Sequence, residues 1–150
     1  MAIAVFVVLV LVTAMSGAVF KPGTWYEALK KPAWTPPNWA FPVVWTLLYI
    51  MILFAGWAVW TKAGWSLALA IWAAQLVLNG AWSWLFFGLR RMDLALVDVG
   101  LLWLAIAGFI LAAWPLSTLS SLLFVPYLMW VSTAFLLNLS VLRLNAADRA

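Results

Sequence analysis

The stretch 30-KKPAWTPPNWAFPVVW-45 lies between two long apolar segments. It holds three tryptophans (Trp34, Trp39, Trp45), four prolines (Pro32, Pro36, Pro37, Pro42) and two lysines. Each proline fixes φ at about −65°, removes a backbone donor and biases the preceding residue away from helix. The stretch therefore divides into a stiff loop and the start of a helix. Trp39 to Phe41 mark the point where the chain passes into an apolar medium, and Trp45 falls within the following helix.

The medium follows from composition. Of 150 residues, 69% are hydrophobic and only 8% charged, and the mean hydropathy is +1.12. Soluble domains carry roughly a quarter charged residues. A chain this short has too little interior to hide so much apolar surface, so the class is a polytopic membrane protein. Five segments are long enough to cross a hydrocarbon core, which takes about 20 residues: 2–20, 40–60, 65–87, 94–114 and 119–142. Asp98 is the one charged residue within them. The fold expected is an all-α integral membrane protein, a five-helix bundle forming one domain over 1–150, with an ordered loop at 21–39. Segment 2–20 lacks a basic leader and a following A-x-A site, so it is expected to be a retained helix. The other links are short, which makes sequential helices antiparallel neighbours.

With five spans, the 21–39 loop, the 88–93 loop and the C-terminus share one side. That side carries Lys21, Lys30, Lys31, Arg90, Arg91, Arg143 and Arg149, and the other carries Lys62 alone. The positive-inside rule places the long loop and the C-terminus in the cytoplasm. It leaves open which membrane. Basic residues scattered along membrane edges make no nucleic-acid surface.

The chain has no cysteine and no histidine, and its acids are Glu27, Asp93, Asp98 and Asp148. Disulfides, Cys/His zinc sites and the commonest haem ligands are excluded, and no pair of carboxylates falls at helical spacing. Asp98 could serve a function as an intramembrane acid; pairing with Arg90 or Arg91 at the interface is the favoured expectation.

Thirteen tryptophans dominate the remaining inventory. An interfacial belt accounts for Trp25, Trp57, Trp60, Trp65 and Trp114, near helix ends. Three helix faces ask for more. Trp45 and Tyr49 are four apart; Gln75, Asn79 and Trp82 fall at i, i+4 and i+7; Trp130, Ala134 and Asn138 fall at i, i+4 and i+8. Amides are costly toward lipid, so these faces point into the bundle. Interhelical hydrogen bonding explains Gln75 best. For Asn79 and Asn138, beside large aromatics, such bonding and ligand lining stand about level. A pocket of indoles and amides suits a flat, mostly apolar ligand. The proline-rich loop would be its lid, or else a structural cap. Lys30 and Lys31 could meet ligand carboxylates, or simply snorkel. Small-residue pairs at Ala70/Ala74 and Gly108/Ala112 permit close helix contact, within the bundle or between protomers.

The run 25-WYEALKKPAWTPPNWAFPVVWTLLY-49 resembles the signature of the TspO/MBR family, the bacterial tryptophan-rich sensory proteins related to the mitochondrial translocator protein, or peripheral benzodiazepine receptor. The blocks 79-NGAWSWLFFGLRRMDLALVD-98, 126-PYLMW-130 and 138-NLSVLRLN-145 agree in order and spacing. The resemblance spans essentially the whole chain. It implies a five-helix bundle that dimerises, with a lid-covered pocket and no resident cofactor. Family ligands are porphyrins such as protoporphyrin IX, cholesterol in animal members, and benzodiazepine-type drugs. By motif position the ligand-binding residues would be Tyr26, Pro37, Trp45, Tyr49, Asn79, Trp82, Trp130, Ala134 and Asn138. Trp34 stands between lid packing and ligand contact. Trp45 and Trp130 match the tryptophans linked to porphyrin photo-degradation in the family. Leu139 stands where the animal sterol motif has tyrosine, although Arg143 is in place, which weakens the case for sterol. Three functions follow: a porphyrin sensor regulating tetrapyrrole metabolism or stress responses, a light- and oxygen-dependent porphyrin-degrading enzyme, and a transporter. The first is preferred. No internal repeat or buried charge pair supports transport.

Overall fold

A computed structural model describes residues 2–147, and every element in them is helical. Asp148 and Arg149, counted above among the acids and bases, lie outside the described residues. The elements are α1 (Ala2–Val19), α2 (Thr24–Ala28), α3 (Ala40–Ala63), α4 (Leu67–Ser83), α5 (Met92–Ala113), α6 (Thr118–Leu123) and α7 (Val125–Leu144). Five helical stretches are long and apolar enough to span a bilayer: α1, α3, α4 with the turn after it to Gly88, α5, and α6 with α7. Their outward faces are apolar, with Val77 73% and Leu111 77% exposed. Such faces suit a bilayer or a partner helix rather than water.

Local chemistry sets the boundaries. Gly64 ends α3 with φ +61°, a conformation that side chains with a Cβ rarely adopt. Ser66 Oγ then accepts the Leu69 N–H at 3.2 Å and caps α4, as Ser117 Oγ accepts the Ser120 N–H at 3.2 Å and caps α6. The fifth span is broken at Phe124 rather than continuous, and Pro126 sits in the first turn of α7, where a missing N–H costs nothing.

The bundle packs α4 against α5 most extensively, with α5 on α7, α1 on α3 and α4, and α3 on α6. Small residues allow the close approaches. Gly80 faces Thr13 and Ser16 of α1, and Ser16 Oγ donates to the Gly80 carbonyl. Gly56 lies directly against the fully buried Trp72 ring, whose Nε1 donates to the Ile52 carbonyl at 2.9 Å. A Cβ added at Gly108 would meet Ile71 at 3.8 Å, so its face is used inside the chain, whereas Ala70 and Ala74 face outward. Ser120 Oγ donates to the Ala55 carbonyl at 2.9 Å and Ser121 Oγ to that of Ile110 at 2.7 Å, tying α6 to α3 and α5.

Past Ser83, residues Trp84–Gly88 form a wide π turn. The Leu89 N–H reaches back five residues to the Trp84 carbonyl at 2.8 Å. Such single turns recur beside functional sites. This one presents Phe86 and Phe87 to the lid. Gly88 is needed there because an added Cβ would come within 2.9 Å of the Phe20 ring.

Candidate functional site

The polar faces anticipated on three helices converge in the interior. Tyr49 Oη of α3 donates to Asn79 Oδ1 of α4 at 2.9 Å. Asn79 Nδ2 donates to Tyr127 Oη of α7 at 2.7 Å, and Tyr127 Oη donates to Gln75 Oε1 at 2.8 Å. This row ties α3, α4 and α7 together inside an apolar medium, where an unpaired polar group costs several kcal/mol. Trp45 stacks on Tyr49 with centroids 5.5 Å apart and planes at 29°. It also meets Tyr127 edge-on at 6.3 Å and Trp130 at 6.5 Å. Phe41 meets the other side of Trp130 at 5.5 Å. Trp130 Nε1 and Gln75 Nε2 are buried and find no acceptor among the described residues.

A second layer lies toward the lid. Trp82 Nε1 donates to Asn138 Oδ1 at 3.0 Å, and Asn138 Nδ2 donates to the Met92 carbonyl at 3.0 Å. Trp82 stacks on Phe86 at 5.0 Å and 25°, with Phe87 edge-on at 5.6 Å. Phe86 and Phe87 in turn receive Tyr26 of α2, at 6.2 Å and 5.5 Å, and Trp25 meets Phe86 at 5.8 Å. Tyr26 is buried, which raises its phenol above the usual range. Lys31 Nζ lies 4.5 Å over the Tyr26 ring. Its ammonium also donates to the Glu27 and Leu29 carbonyls at 3.3 Å and 3.2 Å.

The structure thus brings Trp45, Tyr49, Asn79 and Trp130 into one layer, and Tyr26, Trp82 and Asn138 into the other. Ala134 is half-buried against the core between them. Trp34 is 50% exposed and Pro37 is exposed, both on the outer part of the lid. Tyr127 is the residue that spacing missed. It continues the α7 stripe one turn back, giving Tyr127, Trp130, Ala134 and Asn138. Its place three residues before Trp130 is the signal that marks it.

One expectation is corrected. Asp98 does not pair with Arg90 or Arg91. Arg91 forms a bidentate pair with Asp93, at 3.0 Å and 2.8 Å, and Arg90 lies over the Trp25 ring at 5.8 Å. Helix α5 starts at Met92, so Asp98 sits nearly two turns in, about 9 Å of rise from the first residue. Its side chain faces the core, and Oδ2 has no partner among the described residues. Asp93, in the first turn, is the carboxylate within reach.

Chemically, this is a site of aromatic faces and neutral hydrogen-bonding groups. No group of three or more His, Cys, Asp or Glu among the described residues could hold a metal. In this arrangement the side chains close on one another. The concavity beside them is a groove of about 320 Å³ between α3 and α7, lined by Leu47, Met51, Pro126, Met129, Trp130 and Thr133. Trp130 therefore stands between the interior layer and the lipid-facing groove.

Five apolar spans enclosing a two-layered aromatic and amide centre define a multi-pass helical membrane protein. Residues 2–144 match the model of the TspO/MBR family, and the chain belongs to that family. It is 42% identical to protein CrtK of Rhodobacter capsulatus, over 97% of this chain and 94% of the relative. It is 45% identical to a tryptophan-rich sensory protein of Cereibacter sphaeroides, over 88% and 84%. The human translocator protein is 38% identical, over 81% and 75%.

Proposed function

We propose that the protein is a membrane receptor that binds protoporphyrin IX or a similar flat tetrapyrrole between its two aromatic layers and regulates tetrapyrrole metabolism or a stress response. The observation that carries this reading is the convergence of Trp45, Tyr49, Trp130 and Trp82 with the amides of Asn79 and Asn138 beneath a docked lid. Indole faces stack on a conjugated macrocycle. The buried, unpaired Trp130 N–H offers a donor to a ligand oxygen or nitrogen. Because the side chains close on one another, a ligand must part the two layers, so binding is coupled to side-chain opening.

Titration of the purified protein with protoporphyrin IX, followed by tryptophan fluorescence, tests this. Saturable quenching is expected in the wild type. In the Trp45→Phe, Trp130→Phe double variant, the affinity should fall about tenfold, or about 1.4 kcal/mol, from the loss of two indole contacts. Quenching that never saturates, or is unchanged by the double substitution, sinks the reading.

A specific geometry favours a second reading. The Trp45 and Trp130 rings meet edge-on with centroids 6.5 Å apart, an arrangement suited to passing an electron between indoles. Light- and oxygen-dependent breakdown of bound porphyrin would use both. The same double variant decides: identical product spectra with and without the two indoles remove it. We also propose homodimerisation, with the outward Ala70 and Ala74 as one candidate contact, and drug-like aromatic ligands and, less readily given Leu139, sterol as further partners. The excess of basic residues on their side supports a cytoplasmic long loop and C-terminus. Single cysteines introduced at Lys21 and Lys62 should label from opposite faces of sealed vesicles, Lys21 from the cytoplasmic face; labelling of Lys62 there instead reverses the topology.

A further inference from the structure

We propose that Asn145 is a positioning residue: its side-chain amide clamps the main chain of Lys30, fixes the inner half of the lid, and leaves residues 32–39 as the flap that opens over the aromatic site. This rests on the ligand reading above for its functional consequence, but not for the clamp itself.

Asn145 follows the last turn of α7 and is only 4% exposed. Its Oδ1 accepts the Lys30 N–H at 3.0 Å, and its Nδ2 donates to the Lys30 carbonyl at 2.9 Å. The same Nδ2 donates to the Val141 carbonyl at 2.8 Å. One amide thus satisfies both backbone groups of a single lid residue, as a neighbouring strand would. Capping α7 needs only the bond to Val141. The two bonds to Lys30 do nothing for α7 and act on the lid.

The lid differs on the two sides of this clamp. Upstream, Tyr26 is buried against Phe86 and Phe87, and Leu29 packs in the same cluster. Downstream, Trp34 is 50% and Trp39 70% exposed. There the hydroxyl and the N–H of Thr35 both donate to the Pro32 carbonyl, at 2.6 Å and 3.1 Å, closing a turn on itself. Pro32, Pro36 and Pro37 stiffen that segment, so it moves as a unit rather than by local fraying. The inner half is docked twice, by an apolar anchor at Tyr26 and a polar anchor at Lys30. The outer half is a stiff body joined to it just past the clamp.

The test is amide hydrogen exchange on the full chain in nanodiscs, with protoporphyrin IX release measured in parallel. Asn145→Ala removes all three bonds. Asn145→Asp keeps the size and the acceptor but removes both donors. In Asn145→Ala, exchange at residues 29–31 should rise at least tenfold, and in Asn145→Asp, whose carboxylate still accepts the Lys30 N–H, it should rise by less, with the amides of α3 and α4 unchanged in both. Porphyrin release should quicken by a similar factor, with association little altered. Unchanged exchange at 29–31 overturns the proposal. So does a rise spread evenly through the bundle, which would make Asn145 a general stability residue. Wild-type protein that binds no porphyrin removes the functional reading, while the exchange comparison still decides the clamp.

Discussion

Replacing Gly56 by alanine should destabilise the bundle more than the same change at any other buried glycine. The new Cβ would stand 2.7 Å from Trp72 Cζ2 and closer still to Cε2. Trp72 cannot yield easily. It is 1% exposed, packs against Phe6 with centroids 5.0 Å apart, and is pinned by its N–H to the Ile52 carbonyl at 2.9 Å. Overpacking of this kind costs about 1–3 kcal/mol, and stranding the indole N–H adds about 1–3 kcal/mol more. At roughly 2–4 °C per kcal/mol for a chain of this size, thermal unfolding in detergent should drop by about 10 °C. Gly100→Ala and Gly108→Ala are the controls. Their added methyls would meet Phe135 at 3.6 Å and Ile71 at 3.8 Å, which is ordinary contact. A Gly56→Ala midpoint no lower than those of the controls would mean that α3 and α4 separate without cost.

Asn138→Leu should be the most damaging substitution to the site itself. Leucine keeps the branched shape of asparagine but removes the acceptor of the Trp82 N–H and a donor to the Met92 carbonyl. Leaving one partner buried and unsatisfied costs about 1–3 kcal/mol. The effect extends to the lid, because Trp82 stacks on Phe86, and Phe86 and Phe87 seat Tyr26. Porphyrin affinity should fall about tenfold or more, by the 1.4 kcal/mol per decade relation. Trp82→Phe removes the other partner. In the double variant no donor is stranded, so the combined loss in stability should be smaller than the sum by about 1–2 kcal/mol, as expected for groups in direct contact. Strict additivity would show that the bond to Asn138 does not hold Trp82.

The spans were legible because apolar length is a direct consequence of bilayer thickness, and nothing in the chain competes with it. The interruptions were less so. Short α2, the π turn at Trp84–Gly88 and the break at Phe124 depend on how the lid and α6 pack, which periodicity cannot register. The polar faces were legible because an amide in lipid must turn inward. That reasoning found Asn79, Asn138, Trp45 and Trp130, and it extended to Gln75 as an interhelical partner. It failed for Asp98 because the start of α5 lies two residues earlier than hydropathy indicates, and depth decides whether an acid can reach an interfacial arginine. It passed over Trp72, whose burial depends on a glycine one helix away. Tyr26 and Pro37 rest on motif position and Trp34 on its place in the loop; Tyr26 is buried, whereas Pro37 and Trp34 are exposed.

The π turn has a consequence for the length of the chain. An α-helix advances about 100° per residue, and the wide turn absorbs one residue more than a regular turn before the chain leaves α4. The direction in which Phe86 and Phe87 face is therefore written in a residue count as well as in residue identity. Deleting Leu85 would restore a regular helix and leave every aromatic residue of the turn in the chain. It would also swing the lid's seat away by roughly a quarter of a circle. Among relatives, gaps should be tolerated in the outer flap and excluded from this turn.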